Sequence, residues 1–303
     1  QFNYEAFDTY KGIEFKVDWF ALSFVRYPED IKPFLNLYKN NVFIPVIAKI
    51  EKPEAMDNLD GIIKNFDGIL IARGDLGVEM PLSDLPILQK KIVKKCRYEK
   101  KPVIIATQIL ESMINNSSPT RAEVNDVANS VYDKVDAVML SGETAVGENP
   151  VETVEIMSDI IKSVEKELKN TNPIKNRIEP SGDNRSAIGK AVKIISENLD
   201  IDSIVVMTES GATARVVSHF RTRVNIFGLS PHMNICNRMS LMWGINPIKT
   251  KEYISTDDML INAEKILLDK GFMKKGEVFV LTAGVPVGVS GSTNMLQIQK
   301  IMG

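Results

Sequence analysis

Three stretches of the chain share one pattern: FIPVIAKIE at residues 43–51, GILIARGD at residues 68–75 and PVIIATQ at residues 102–108. Each is an apolar run that ends in charged or hydroxyl-bearing residues. Continuous apolar runs without strict alternation are typical of parallel strands that are buried on both faces. These stretches therefore predict a parallel sheet whose strands end in polar side chains.

The pattern continues on both sides of these stretches. Apolar runs cover residues 18–25, 43–50, 68–72, 102–106 and 136–140, and each is followed by a segment of helical period. The run starts advance by 25, 25, 34 and 34 residues, whereas a (β/α)8 barrel advances by about 31. We predict the later five βα units of a (β/α)8 barrel and expect three further units to precede Gln1.

A second domain is predicted after this repeat. Residues 171–186 are rich in Asn, Pro and Ser and poor in apolar residues, which indicates a linker. Helical and strand patterns then alternate again, beginning with a helix at 187–199 and a strand at 203–207. The fold class is α/β: a partial (β/α)8 barrel domain at 1–170 and a smaller open-sheet α/β domain at 187–303.

Composition excludes several classes of function. The chain has 303 residues with 37 Lys and Arg against 39 Asp and Glu, a formal charge of −2, so nothing indicates the basic surface of a nucleic-acid-binding protein. No stretch approaches the roughly 20 apolar residues that cross a bilayer, and we expect no secretory leader. Cys96 and Cys236 form no C-x-x-C motif, so a reducing cytoplasm is the expected location.

The ends of the predicted strands supply a candidate metal site. Lys49 and Glu51 are two residues apart and share one face of a strand, and Arg73 and Asp75 do so if that segment is also extended. Neighbouring strands lie about 4.8 Å apart, so Glu51 and Asp75 can converge on one ion. Two carboxylates that leave other positions free suit Mg²⁺ or Mn²⁺.

Hydroxyl groups complete this edge of the sheet. Thr107 follows the fourth run, and Ser141 and Glu143 follow the fifth. Lysine, arginine and a divalent metal together form an anion site, as phosphoryl transfer requires. Each polar residue taken singly is more simply the start of a solvated loop, but Lys49 lies inside an apolar strand, where an unpaired ammonium is costly.

Two loops next to predicted helices have simpler interpretations. Thr120 and Glu123 have the S/T-x-x-E spacing of a capping box and need no catalytic role. Residues 208–213 join a strand to a helix and offer N–H groups and hydroxyls to a phosphate, although a plain helix cap explains them equally well. The residues of this candidate phosphate loop are Thr208, Ser210, Gly211, Ala212 and Thr213.

Five motifs resemble those of pyruvate kinases in order and spacing: IAKIE at 47–51, ARGDLG at 72–77, ATQILESM at 106–113, PTRAE at 119–123 and LSGETA at 140–145. The resemblance covers essentially the whole chain. It implies phosphoryl transfer from phosphoenolpyruvate to ADP, giving pyruvate and ATP in glycolysis. It also implies Mg²⁺ or Mn²⁺ and K⁺ as cofactors, and a cytoplasmic, allosteric homotetramer.

The resemblance assigns catalytic roles at the strand ends. Lys49 corresponds to the lysine that stabilises the phosphoryl group in flight. Glu51 and Asp75 correspond to the Mg²⁺ ligands. Ser141 corresponds to a serine implicated in delivering a proton to the enolate through water.

Substrate and effector sites are likewise implied by the resemblance. The backbone of Gly74 and Asp75, together with Thr107, corresponds to the pocket for the substrate carboxylate, which Arg73 helps to shape. The loop 208–213 corresponds to one that binds a sugar-phosphate effector. Residues 283–294 contain no Trp, Arg or Lys for a second phosphate, so we expect a sugar or nucleoside monophosphate, or no effector.

The resemblance also implies parts of the active site that would lie before Gln1: three barrel strands and a lid domain that serve the phosphate, K⁺ and the nucleotide. We therefore expect this chain alone to be inactive. Two alternatives stay open. One is a non-catalytic effector-binding and oligomerisation fragment, and the other is a metal-dependent lyase or aldolase acting on pyruvate-like acids.

Overall fold

A computed structural model describes residues 11–37, 43–170, 183–286 and 293–303. The chain divides into two compact units, Gln1–Asn172 and Pro173–Gly303. Each unit has its own sheet and its own hydrophobic clusters. No helix in the described ranges is both long enough and apolar enough to span a bilayer.

The first unit contains a five-stranded parallel sheet in which the strands lie in chain order. The strands are β1 (Phe20–Leu22), β2 (Val46–Ile50), β3 (Gly68–Ala72), β4 (Val103–Ala106) and β5 (Ala137–Met139). All five predicted strands are confirmed. Their parallel order brings the five carboxyl ends to one edge of the sheet.

Helices follow the strands of this unit. They are α1 (Lys32–Leu37), α2 (Pro53–Asp57), α3 (Leu59–Asn65), α4 (Arg73–Glu79), α5 (Leu85–Tyr98), α6 (Arg121–Tyr132), α7 (Gly142–Ala145) and α8 (Pro150–Asn170). The extended conformation considered for Arg73 and Asp75 is wrong, because α4 begins directly at the end of β3.

The two faces of β2 have different environments. Val46, Ala48 and Ile50 belong to the main core of the first unit, which α3, α5 and α6 cover with apolar side chains. Lys49 points to the other face, where it is register-paired with Leu70 of β3. Burial of each core side chain of this kind contributes about 1.5–3 kcal/mol, so the register that places Lys49 is strongly fixed.

The second unit contains a mixed sheet in the order β10-β9-β6-β7-β8. Only β10 is antiparallel to its neighbour within this sheet. The elements are α9 (Asn184–Asn198), β6 (Ser203–Met207), α10 (Ala212–His219), β7 (Asn225–Ser230), α11 (Met233–Met239), β8 (Ile245–Lys249), α12 (Thr256–Asp269), β9 (Val278–Gly284) and β10 (Thr293–Lys300).

The first helix of the second unit begins earlier than predicted. Asp183 is the N-cap of α9 and its side chain accepts a hydrogen bond from the Ser186 N–H. A helix therefore starts at Asn184, within the predicted linker 171–186, because the polar residue there caps the helix and does not interrupt it. The linker residues 171–182 lie outside the described residues.

Candidate active site

Lys49 and Glu51 form an ion pair at the carboxyl end of β2. The Lys49 Nζ lies 2.6 Å from the Glu51 Oε1, and the Glu51 side chain is only 2% exposed, against 26% for Lys49. Spacing by two residues in an extended strand explains why both side chains point the same way. A partly exposed ammonium is thus anchored by a buried carboxylate.

The segment that follows β1 completes this pair. Lys49 donates a hydrogen bond of 3.0 Å to the Ser23 Oγ, and the Phe24 N–H donates one of 2.7 Å to the Glu51 Oε2. Phe24 itself is left-handed, with a φ of 57°. Ser23 is not among the residues predicted from the sequence, because the predicted apolar run covers residues 18–25 and β1 ends at Leu22. With the strand ended at Leu22, Ser23 is the polar residue that follows it, like those after the other strands.

Asp75 lies in the first turn of α4 and is exposed. Residues two apart on a helix are rotated by about 200° from each other, so Arg73 and Asp75 do not share a face as the extended interpretation required. Ile50 pairs with Ile71 in the sheet register, so Glu51 and the start of α4 both follow directly from paired strand ends.

The donor chemistry at Glu51 and Asp75 fits Mg²⁺. Within residues 11–37, 43–170, 183–286 and 293–303, no group of three or more His, Cys, Asp or Glu side chains could hold a metal ion. Mg²⁺ does not require such a group, since it usually takes one or two carboxylates together with substrate phosphates and waters. Both oxygens of Glu51 accept hydrogen bonds from the protein in this arrangement, so a metal there would compete with Lys49 for Oε1.

Thr107 and Gly74 are joined directly. The Gly74 N–H donates a 2.6 Å hydrogen bond to the Thr107 Oγ1, and that hydroxyl donates one of 2.6 Å to the Ala106 carbonyl. A Cβ at residue 74 would lie 3.4 Å from the Thr107 side chain, which is van der Waals contact. The structure thus brings together two of the three groups predicted to receive a carboxylate.

Ser141 is the N-cap of α7 and lies two residues after the end of β5. Its N–H donates a 2.6 Å hydrogen bond to the Glu143 Oε2, and Glu143 is buried with 3% exposure. Glu143 therefore fixes the backbone of Ser141. The sequence placed both residues at the sheet edge without anticipating this contact.

The predicted capping box of Thr120 and Glu123 is confirmed, and Glu123 does more than cap the helix. Its carboxylate also accepts hydrogen bonds from the N–H and the Oγ of Ser112, at 2.7 and 2.6 Å. Partial burial raises the pKa of Glu123, but the hydrogen bonds from Ser112 and Thr120 outweigh burial and hold that pKa below its usual value.

The candidate phosphate loop of the second unit lies at the carboxyl end of β6. In this sheet β6 has β7 on one side and β9 on the other, and ligands of open α/β sheets bind at such a reversal of strand order. Gly211 has a φ of 78° and immediately precedes α10. The Thr208 Oγ1 accepts a 2.9 Å hydrogen bond from the Gly211 N–H.

The hydroxyl groups of this loop differ in their exposure to solvent and so to a ligand. Thr213 is buried and its Oγ1 lies 2.5 Å from the Thr293 Oγ1, whereas Ser210 is exposed. Glu209, which belongs to the loop, is paired with His232 at 2.9 Å. The predicted partner loop 283–294 falls partly on residues 287–292, which lie outside the described residues.

Comparison with known proteins gives matches to two family models. The model described as "Pyruvate kinase, barrel domain" matches residues 4–154, and the model described as "Pyruvate kinase, alpha/beta domain" matches residues 186–299. The chain belongs to the pyruvate kinase family. The predicted fold class, barrel units followed by an α/β domain, is confirmed.

Individual pyruvate kinases agree with the family models. The chain is 42% identical to pyruvate kinase 2 of Synechocystis sp. over 97% of its length and 49% of the relative. It is 38% identical to the pyruvate kinase of Clostridium acetobutylicum over 97% of its length and 63% of the relative. It matches the crystal structure of a pyruvate kinase from Cryptosporidium parvum with a TM-score of 0.90 and 30% identity, over 99% of this chain and 62% of that one. The chain therefore spans between about half and two thirds of these relatives.

The low pKa of Glu123 makes the contact with Ser112 sensitive to acid. A carboxyl whose pKa is lowered by folding stabilises the protein above its usual pKa, about 4.3 for glutamate, and that stabilisation is lost as the pH falls through the lowered value. We expect Glu123→Gln to lower the Tm at pH 7, and the deficit relative to wild type to shrink below pH 4. The exposed Glu111→Gln is the matched control, and a deficit that is constant from pH 7 to pH 3.5 would contradict the assignment.

Proposed function

We propose that this chain carries the phosphoryl-transfer centre of a pyruvate kinase, which moves a phosphoryl group from phosphoenolpyruvate to ADP and yields pyruvate and ATP. The observation that carries the proposal is the ammonium of Lys49, held at the sheet edge by Glu51 and Ser23. Membership of the family and the position of Lys49 in the IAKIE motif support this role.

Lys49 acts by stabilising charge on the phosphoryl oxygens during transfer. Its contacts hold the ammonium in place before the substrate binds, so little reorganisation is needed in the transition state. The Lys49 Nζ can turn from the Ser23 Oγ to a phosphoryl oxygen, and a metal that takes the Glu51 Oε1 would free the ammonium further for that contact. Arrangements of this kind lower the barrier when the interaction is stronger in the transition state than in the ground state.

Gly74 and Thr107 receive the carboxylate of the substrate. A carboxylate oxygen that accepts from the Gly74 N–H replaces the Thr107 Oγ1, which then turns and donates its own proton to the second oxygen. Two neutral hydrogen bonds, from Gly74 to Thr107 and from Thr107 to Ala106, are thus exchanged for two charge-assisted ones, which are roughly twice as strong. Asp75 contributes its backbone N–H to the same pocket.

Glu51 and Asp75 would hold Mg²⁺, which supplies charge stabilisation to phosphoryl oxygens when it is bound. Ser141 is proposed to direct a proton toward the enolate through water, with its backbone fixed by Glu143.

K⁺ binding, a homotetramer and a cytoplasmic location stay predictions from the family. The match to a family α/β domain weighs against the lyase or aldolase alternative.

A kinetic experiment tests the role of Lys49. Pyruvate formation from phosphoenolpyruvate and ADP, with Mg²⁺ and K⁺, is measured for the chain alone and for the chain joined to the N-terminal segment of the Clostridium acetobutylicum relative. We expect Lys49→Met to lower kcat of the joined chain by about 10²–10³, the usual effect of removing a transition-state donor, with a small change in KM for phosphoenolpyruvate.

Lys52→Met is the matched control, because Lys52 lies just past the end of β2 and pairs with the exposed Glu79. An unchanged kcat with a raised KM would make Lys49 a binding residue only. Absence of pyruvate formation by both chains would contradict the proposed activity. Turnover by the chain alone would overturn the expectation that it is inactive.

We also propose that the loop 208–213 binds the phosphate of a sugar or nucleoside monophosphate. The position beside the reversal of strand order and the N-terminus of α10 support this. Ser210 is the hydroxyl best placed to reach a ligand, because Thr213 is buried against Thr293.

Calorimetry compares the effector classes. We expect glucose 6-phosphate or AMP to bind this chain more tightly than fructose 1,6-bisphosphate, because residues 283–294 offer no cation to a second phosphate. Ser210→Ala should weaken binding and Ser240→Ala, an exposed serine of the same unit, should not. Tighter binding of the bisphosphate, lost in Thr213→Ala, would show that this interpretation of the last loop is wrong.

A further inference from the structure

Arg73 connects three segments at the edge of the first sheet. Its Nη1 donates a 2.7 Å hydrogen bond to the Asp126 Oδ1, and its Nη2 lies 2.7 Å from the Asp126 Oδ2. The same Nη2 donates to the carbonyls of Thr107 and Gln108, at 3.0 and 3.1 Å. The Arg73 side chain is 12% exposed, so this fork is largely shielded from water.

The two carbonyls belong to a backbone segment in an unfavourable conformation. Thr107, Gln108 and Leu110 have φ values of 67°, 54° and 53°, in the left-handed region that residues with a Cβ rarely adopt. Such residues persist where their surroundings over-determine them, and they concentrate at functional sites. The contacts of Arg73 supply that restraint at the start of the segment.

Two residues of helix α6 are connected to the two ends of the segment 107–112. Asp126 restrains its beginning through Arg73, and Glu123 restrains its end by accepting from Ser112. Glu123 and Asp126 are three residues apart and therefore lie on one side of the helix. A planar guanidinium bound by a carboxylate at two points has a defined orientation, which a single hydrogen bond would not give.

We infer that Asp126 is a positioning residue for the substrate site: through Arg73 it holds the left-handed segment that aims the Thr107 hydroxyl at the Gly74 N–H. The inference rests on the proposed function for its kinetic consequence, but not for the contact itself. Without the Asp126 carboxylate, Arg73 loses its counter-charge and its orientation, and Thr107 loses the restraint on its backbone. Asp126 itself touches neither substrate nor metal.

The kinetic test uses Asp126→Asn, which keeps the size of the side chain and removes its charge. In the joined chain we expect kcat/KM for phosphoenolpyruvate to fall by about tenfold or more, because misplacement by 1 Å can cost up to about 10², while KM for ADP stays unchanged. Asp133→Asn is the matched control, since Asp133 ends the same helix and pairs with Lys90.

A double-variant comparison separates positioning from a general structural effect. If Asp126 acts through Arg73, adding Asp126→Asn to Arg73→Gln should cause no further loss of kcat/KM, because the two residues act as one unit. An additive loss would overturn the inference.

Hydrogen exchange of the Gly74 amide gives a readout that does not depend on turnover. With glycine-selective ¹⁵N labelling, we expect this amide in Asp126→Asn to exchange about fivefold faster than in wild type, as the loss of one hydrogen bond predicts, and to be unchanged in Asp133→Asn. Unchanged exchange of Gly74 in a folded Asp126→Asn would refute the inference whatever the activity. Lack of turnover in wild type would count against the proposed function only, and exchange would still decide the role of Asp126.

Discussion

The structure of the site depends on a buried carboxylate that must be satisfied. Glu51 is almost fully shielded from water, and an unpaired buried carboxylate would cost several kcal/mol. Lys49 satisfies one oxygen and the Phe24 amide satisfies the other. This requirement fixes the ammonium at the sheet edge and ties the ends of β1 and β2 together, so a single electrostatic constraint sets both local structure and the position of the charged group proposed for catalysis.

Hydrogen bonds also hold the ends of the other strands along this edge of the sheet. The Gly74–Thr107 hydrogen bond joins the ends of β3 and β4, and Glu143 holds the backbone that follows β5. Each contact links groups within a strand end or between neighbouring strand ends, which the parallel order brings together. The left-handed Thr107 accepts a hydrogen bond at its carbonyl from Arg73, which is paired with Asp126 of α6.

Much of this could be predicted from the sequence, because the apolar runs and the capping box are short-range patterns. The strands, the α6 cap, Lys49 and Glu51 were all found in this way. Helix α4 is not predicted from the sequence because ARGDLG contains two glycines, which disfavour a helix. Since the segment is helical and not extended, the predicted shared face of Arg73 and Asp75 is wrong. Asp126 was missed because it contacts Arg73 across 53 residues, and no local pattern encodes such a pairing. The burial of Thr213 depends likewise on Thr293, 80 residues away.

Glu51 is proposed to combine two tasks: it holds Lys49, and it binds a divalent metal that competes with Lys49 for Oε1. Titration of the chain with Mn²⁺, followed by electron paramagnetic resonance of the free ion, tests it most directly. The account predicts one bound Mn²⁺ per chain that is lost in Glu51→Gln and retained in Glu79→Gln, a variant of the exposed glutamate that pairs with Lys52. Equal Mn²⁺ binding by wild type and a folded Glu51→Gln would contradict it.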